Sequence, residues 1–249
     1  MKNLAWILFL LATACNTPTK RLTIATAANV QFAMEELVRQ FEEDTSIPSE
    51  IILGSSGQLT AQIMEGAPYD VFVSANMKYP EALYEKNLTV KAPVIYAYGV
   101  LVLWTLQDRP DLSLEMLKDS SILHIAVANP KTAPYGEAAI QAVSQLQLLN
   151  DVGNKLVYGE SISQTNQFVV SGSAEIGFTA KSVVVSEEMK GKGTWVEVPD
   201  SLYHPIAQGV VVINREDNEK AQQFANFLLS EMARKILQAY GYNVNLSNE

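Results

Sequence analysis

Residues 51–75 read IILGSSGQLTAQIMEGAPYDVFVSA, and their pattern decides the fold. Ile51-Ile52-Leu53 is a short apolar run suited to a strand, and Gly54-Ser55-Ser56-Gly57 follows as a loop of small residues. Leu59 and Ile63 then stand four apart, on one face of a helix. Gly66-Ala67-Pro68 stops that helix, and Val71-Phe72-Val73 opens the next strand. Strand, helix and strand in direct succession predict a parallel pair with the helix packed on its face.

The same order extends in both directions. Upstream, Leu22-Thr23-Ile24-Ala25 reads as a strand, and Met34, Leu37, Val38 and Phe41 form one apolar stripe on a helix that begins after Asn29. Downstream, Val100-Leu101-Val102-Leu103, His124-Ile125-Ala126-Val127 and Ile176-Gly177-Phe178 are buried strands of a second unit. Its helices are expected near 137–149 and 164–170. Val210-Val211-Val212-Ile213 and a helix bearing Ala221, Phe224, Ala225 and Leu228 close the chain.

The expected class is therefore α/β, with two lobes, each a mainly parallel sheet flanked by helices. Lobe I takes residues 21–95 and 206–249, and lobe II takes 96–205. Pro93 to Tyr98 and Tyr203 to Gln208 are the two hinge crossings. Two lobes on two crossings can close over a ligand.

The chain has 249 residues, enough for such a pair, and a net charge of −9. That charge excludes nucleic acid as a partner, because phosphate contacts need clustered Lys and Arg. The first 20 residues form a leader and tether. Lys2 precedes an apolar run from Leu4 to Leu11, too short to span a bilayer, and small residues Ala12-Thr13-Ala14 lead to Cys15. The context resembles a bacterial lipobox with Ala12 in place of the usual Leu. It implies acylation of Cys15, a lipid anchor and an extracytoplasmic location, with ordinary signal cleavage as the alternative. Cys15 is the sole cysteine, so no intrachain disulfide forms.

Four segments share one arrangement, in which a strand ends, small uncharged polar residues follow and a helix begins. They are Ala27-Ala28-Asn29, Ser55-Ser56-Gly57, Thr132-Ala133-Pro134-Tyr135-Gly136 and Ser161-Ile162-Ser163-Gln164. Unpaired N–H groups and the positive end of the dipole lie at a helix start, so several starts converging on one cleft make an anion site from neutral parts. Each loop read alone is equally an ordinary cap or turn, with Asn29 a good N-cap and Tyr135 a half-buried aromatic. Asp70 is a turn residue or a lock on the serine loop.

Enzyme chemistry finds no support. His124 and His204 lack metal-ligand spacing, Gly54-Ser55-Ser56-Gly57 is not a nucleophile elbow, and no Walker A loop is present. An organic-acid receptor would use an arginine fork, yet Arg21, Arg39, Arg109, Arg215 and Arg234 all lie outside the four loops.

Taken in order, the serine-rich loop at Gly54–Leu59, the turn Glu65-Gly66-Ala67-Pro68-Tyr69-Asp70 and Ser74-Ala75 resemble the periplasmic molybdate-binding proteins of ABC importers. Asn129-Pro130 to Gly136, Ala174 to Phe178 and Tyr240-Gly241-Tyr242 fit as well. The resemblance implies a periplasmic-binding-protein fold and a monomer that needs no cofactor. It implies molybdate or tungstate as ligand, and an ABC permease as partner. Sulfate or another oxyanion is the alternative ligand. It also implies an ion held by Ala28 through its backbone, Asn29, Ser56, and the N–H groups of Tyr135 and Ile162. Ala180 stands where some members place a tyrosine hydroxyl.

Overall fold

The computed structural model describes residues 21–244; the leader and Cys15 lie outside the described residues. The strands are β1 (Leu22–Ala27), β2 (Ser49–Gly54), β3 (Val71–Val73), β4 (Val94–Gly99), β5 (Leu101–Thr105), β6 (Ile125–Ala128), β7 (Leu156–Gly159), β8 (Ile176–Ala180), β9 (Thr194–Glu197) and β10 (Ile206–Val212). The helices are α1 (Gln31–Thr45), α2 (Ser56–Met64), α3 (Lys78–Glu85), α4 (Pro134–Gln145), α5 (Leu149–Val152), α6 (Ile162–Val170), α7 (Lys181–Val184), α8 (Glu219–Leu228) and α9 (Glu231–Ala239).

Two five-stranded sheets result, in the orders β2-β1-β3-β10-β4 and β7-β6-β8-β5-β9. Each is mixed. β1 runs parallel to β2 and β3, and β6 runs parallel to β7 and β8, where strands alternate with helices. β10 and β5 are antiparallel to their neighbours, where the chain passes from one sheet to the other.

The α1 stripe buries Ala33, Met34, Leu37, Val38 and Phe41, and Phe41 meets Phe224 of α8 edge-on at 5.1 Å. Ser46 ends α1 in the left-handed conformation, φ 57°. Under the second sheet, Leu101, Leu103, Ile125, Val127, Ile176 and Phe178 pack on Ala138, Ala139 and Ala142 of α4.

Of the segments expected as crossings, Pro93 to Tyr98 falls almost wholly in β4, and Tyr203 to Gln208 enters β10 at Ile206. β4 and β10 pair antiparallel, with Ile206 opposite Gly99 and Val210 opposite Val94, so the chain changes sheet at Val100 and again between Glu197 and Ile206. A connection between two lobes still has to satisfy its buried N–H and C=O groups, and here the two connections satisfy each other. Tyrosines and Gln208 interrupt the apolar pattern and hide β4 and the first half of β10 from a periodicity reading.

Candidate functional site

β1, β2, β6 and β7 lead at their carboxyl ends into the starts of α1, α2, α4 and α6. Parallel register within each pair puts the two starts of each lobe side by side, and the lobes face each other across them. Ser55 caps α2. It forms a reciprocal capping box with Gln58, whose Oε1 accepts from the Ser55 N–H at 3.2 Å. Ser56 has a different task. Its Oγ accepts the Ala75 N–H at 2.9 Å, which leaves the hydroxyl proton for another acceptor.

Pro134 fills the first position of α4, and the Ser161 side chain caps α6 by accepting from the Gln164 N–H. The N–H groups of Ser56, Tyr135 and Ile162 lie in first helical turns and donate to no acceptor among the described residues. All three residues, with Ala28 and Asn29, line one small void that Ala27, Gly54, Ser55, Ala75, Ala133 and Pro134 complete. The five residues expected at the site are thus brought together. The void measures about 10 Å³, room for about one water and far below the roughly 300–1,000 Å³ of an organic-ligand pocket.

Asn29 is not the N-cap its sequence context suggests. It sits within a short 3-10 turn, Ala28–Val30, with no side-chain cap bond, and is only 2% exposed. Its Nδ2 donates to Gln208 Oε1 at 2.9 Å and to the Tyr242 hydroxyl at 3.1 Å, and its backbone oxygen accepts from Ser182 Oγ at 2.6 Å. Gln208 also accepts from the Tyr96 hydroxyl at 2.7 Å and donates to the Tyr135 hydroxyl at 3.3 Å. Burial pushes the Tyr96 and Tyr135 hydroxyls well above the usual phenol range, and Tyr242 up to about 12, so all three stay protonated. Gly99 makes room for the Tyr135 hydroxyl; a Cβ there would lie 2.0 Å from it. Gln208, Tyr96, Ser182 and Tyr242 were not foreseen as parts of the site. The one sequence signal was a glutamine inside the apolar run of β10.

The lobes touch around the void. The Gly57 N–H donates to Thr132 O at 2.9 Å, the Tyr79 hydroxyl to Lys131 O at 3.1 Å, and Gln58 Nε2 to Glu160 Oε2 at 3.2 Å. Ser163 Oγ donates to Gln31 Oε1 at 3.3 Å. These bonds join α2 and α3 to the loops before α4 and α6, and α6 to α1, so the arrangement is a closed cleft.

The family profile described as "Bacterial extracellular solute-binding protein" matches residues 22–243. The chain is 38% identical to the molybdate-binding protein ModA of Azotobacter vinelandii over 93% of both chains. It is also 38% identical to ModA of Rhodobacter capsulatus, over 88% of this chain and 86% of that one. The chain belongs to the bacterial extracellular solute-binding proteins, in the molybdate-binding family. The solved structure of the Azotobacter vinelandii periplasmic molybdate-binding protein superposes with a TM-score of 0.85 at 34% identity, over 89% of this chain and 98% of that one. The sulfate-binding protein SubI of Mycobacterium tuberculosis shares the fold, with a TM-score of 0.78 at 14% identity over 91% and 88% of the two chains.

Members of this family are extracytoplasmic substrate-binding proteins of ABC transporters, not enzymes, and the rest of this chain agrees with that role. None of the residues lining the void carries a formal charge. Lys181 is taken up by Glu197 at 2.6 Å and stands over Trp195, and the Lys131 N–H donates to Asn129 Oδ1. His124 is exposed; the N–H groups of Leu123 and His124 are held by Glu175. Asp70 accepts the Thr23 N–H at 2.9 Å at the start of β1. A larger cavity of about 720 Å³ lies where the chain changes sheet, lined by Tyr98, Tyr203, Glu197 and Asp200 among others. Its carboxylates make it unsuited to an anion.

Proposed function

We propose that this solute-binding protein captures molybdate, with tungstate as an equivalent ligand, in the void between the helix starts and presents it to an ABC permease. One observation carries the reading. The void is far too small for an organic ligand and is lined by N–H groups without acceptors among the described residues and by a serine whose oxygen is already engaged, so its hydroxyl must donate outward. A buried dianion requires charge-assisted donors on its oxygens, and three helix starts supply them without lysine or arginine. The binding residues in this reading are Ala28, Asn29, Ser56, Tyr135 and Ile162, acting on a monomer. Lobe I comprises 21–95 and 206–249 and lobe II 96–205, and they part and close about the paired strands β4 and β10.

Donor chemistry sets the expected selectivity. Hydrogen phosphate keeps a proton that needs an acceptor, and leaving it unpaired costs about 1–3 kcal/mol. Sulfate carries no such proton but is smaller than molybdate, and a void with fixed donors cannot reach all its oxygens at about 2.7–3.0 Å. Competition titrations at fixed pH and ionic strength should therefore rank tungstate and molybdate together, then sulfate, then phosphate. Phosphate binding as tightly as molybdate would refute a site built of donors.

Membrane attachment belongs to the same reading. Acylation at Cys15 supplies the anchor, with the following polar residues as tether. Cys15→Ser should move the protein from the membrane fraction to the soluble fraction. Identical fractionation of mutant and parent as soluble protein would remove the anchor.

A further inference from the structure

Any residue but proline supplies an N–H at position 135, so the large buried side chain there has a second task. Tyr135 is 1% exposed and belongs to α4, which packs on the second sheet, yet its hydroxyl ends among residues of the first sheet. It bonds the Gln208 carboxamide of β10 at 3.3 Å and stands against Gly99, the last residue of β4, with Asn29, Tyr96 and Tyr242 beside it. A hydroxyl both donates and accepts, so this seat holds whichever amide atom Gln208 presents.

Gly99 is shaped to that seat. It does not adopt a positive φ, so backbone conformation does not call for glycine. Space does. A Cβ at Gly99 would lie 2.0 Å from the Tyr135 hydroxyl oxygen, 2.9 Å from its Cζ and 2.6 Å from Gln208 Nε2. The main chain of Tyr135 is pinned on the other side. A Cβ at Gly136 would lie 1.9 Å from Ala128 O at the end of β6, and the Ala133 N–H donates to Asn129 O at 2.8 Å, so the start of α4 sits directly on the second sheet. The backbone of Tyr135 therefore moves with one sheet while its hydroxyl is lodged in the other.

We propose that Tyr135 is a positioning residue, whose phenol seats in the socket of Gly99 and Gln208 and thereby sets the first turn of α4 at bonding distance from an ion held by the helix starts of the first sheet. This rests on the oxyanion reading above. It adds that the closed spacing of the two sheets is set by a buried side chain behind the ion and not only by the contacts at the mouth of the cleft. When the lobes part about β4 and β10 the hydroxyl leaves its socket, and closure returns it. Gly99 stands where the chain leaves the first sheet, so an obstruction there acts near the axis of closure and its effect grows toward the mouth. A filled socket holds the Tyr135 and Ile162 N–H groups off the ion, and a socket without its hydroxyl leaves them less well placed.

Calorimetric titrations with sodium molybdate on three variants test this. Tyr135→Phe keeps the N–H and removes the hydroxyl, and should bind about fivefold more weakly than the parent. Gly99→Ala puts a methyl group into the socket, and should bind about tenfold more weakly. Independent effects would multiply to about fiftyfold in the double variant. With the hydroxyl gone the methyl group takes its place, so the double variant should instead bind no more weakly than Gly99→Ala alone. With the parent binding normally, a parent-like affinity in Tyr135→Phe or a loss of about fiftyfold in the double variant overturns the socket and leaves the oxyanion site standing. Thermal melts without ion separate a role in stability alone. A hydroxyl that only supports the fold lowers the Tm of Tyr135→Phe and leaves its Kd unchanged, which also overturns the proposal. If Gly99→Ala does not melt cooperatively, the Kd of Tyr135→Phe decides. Absence of heat in the parent itself overturns both the socket and the oxyanion reading.

Discussion

Gly57→Ala is expected to reduce molybdate affinity by about two orders of magnitude while leaving the protein folded. Gly57 is the second residue of α2, and its N–H crosses the cleft to Thr132 O at 2.9 Å. A Cβ at this position would stand 2.9 Å from Thr132 Cα and 2.9 Å from the Tyr79 hydroxyl. Tyr79 can swing away, but Thr132 Cα belongs to the backbone that leads into α4, so the lobes must separate. Separation breaks the cross-cleft bond, worth about 0.5–1.5 kcal/mol, and draws the Tyr135 and Ile162 N–H groups away from an ion held by Ser56, at about 1.5–3 kcal/mol for each charge-assisted bond weakened. A total near 3 kcal/mol is about a hundredfold in Kd. Alanine is a better helix former than glycine by about 1 kcal/mol, so the empty protein should melt no lower than the parent. Calorimetry on the purified variant checks this, and an unchanged affinity would show that binding does not require the closed cleft.

Ser56 and Ser55 should separate cleanly into binding and stability. Ser56→Ala removes a hydroxyl whose oxygen is anchored by the Ala75 N–H and whose proton is left for another acceptor, so a tenfold or larger loss of affinity is expected from a bond of about 1.5–3 kcal/mol to the ion. Ser55→Ala instead dismantles the capping box with Gln58 and should lower stability by about 0.5–2 kcal/mol with little change in affinity. Paired titrations and thermal melts of the two variants decide it. Equal and small effects on affinity would return Ser56 to a structural role.

That division was not readable in residues 54–57 alone. Two adjacent serines before a helix offer the same chemistry, and which one caps depends on the strand angle of β2 and on the distant Ala75 N–H. The alternation of strands and helices was legible because parallel units need apolar runs of fixed period, and the convergence of helix starts followed from it. Asn29 misled for the reverse reason. Its neighbours suggest a cap, yet its environment is built by Gln208, Tyr242 and Ser182, which are remote in sequence. The strand β4 and the first half of β10 were likewise hidden, because they satisfy each other across the gap between lobes and carry tyrosines and a glutamine where a periodicity reading expects aliphatic residues.

The central claim is that uncharged donors at converging helix starts hold a tetrahedral dianion. Calorimetric titration of the soluble domain, begun after Cys15, with sodium molybdate tests it most directly. No carboxylate, histidine or lysine lines the void, and the tyrosines behind it keep their protons. The prediction is a one-to-one complex with a micromolar or tighter Kd, about −8 kcal/mol or stronger, that stays constant from about pH 6 to about pH 9. Absence of heat with molybdate, or an affinity that collapses across that range as a side chain titrates, would contradict it.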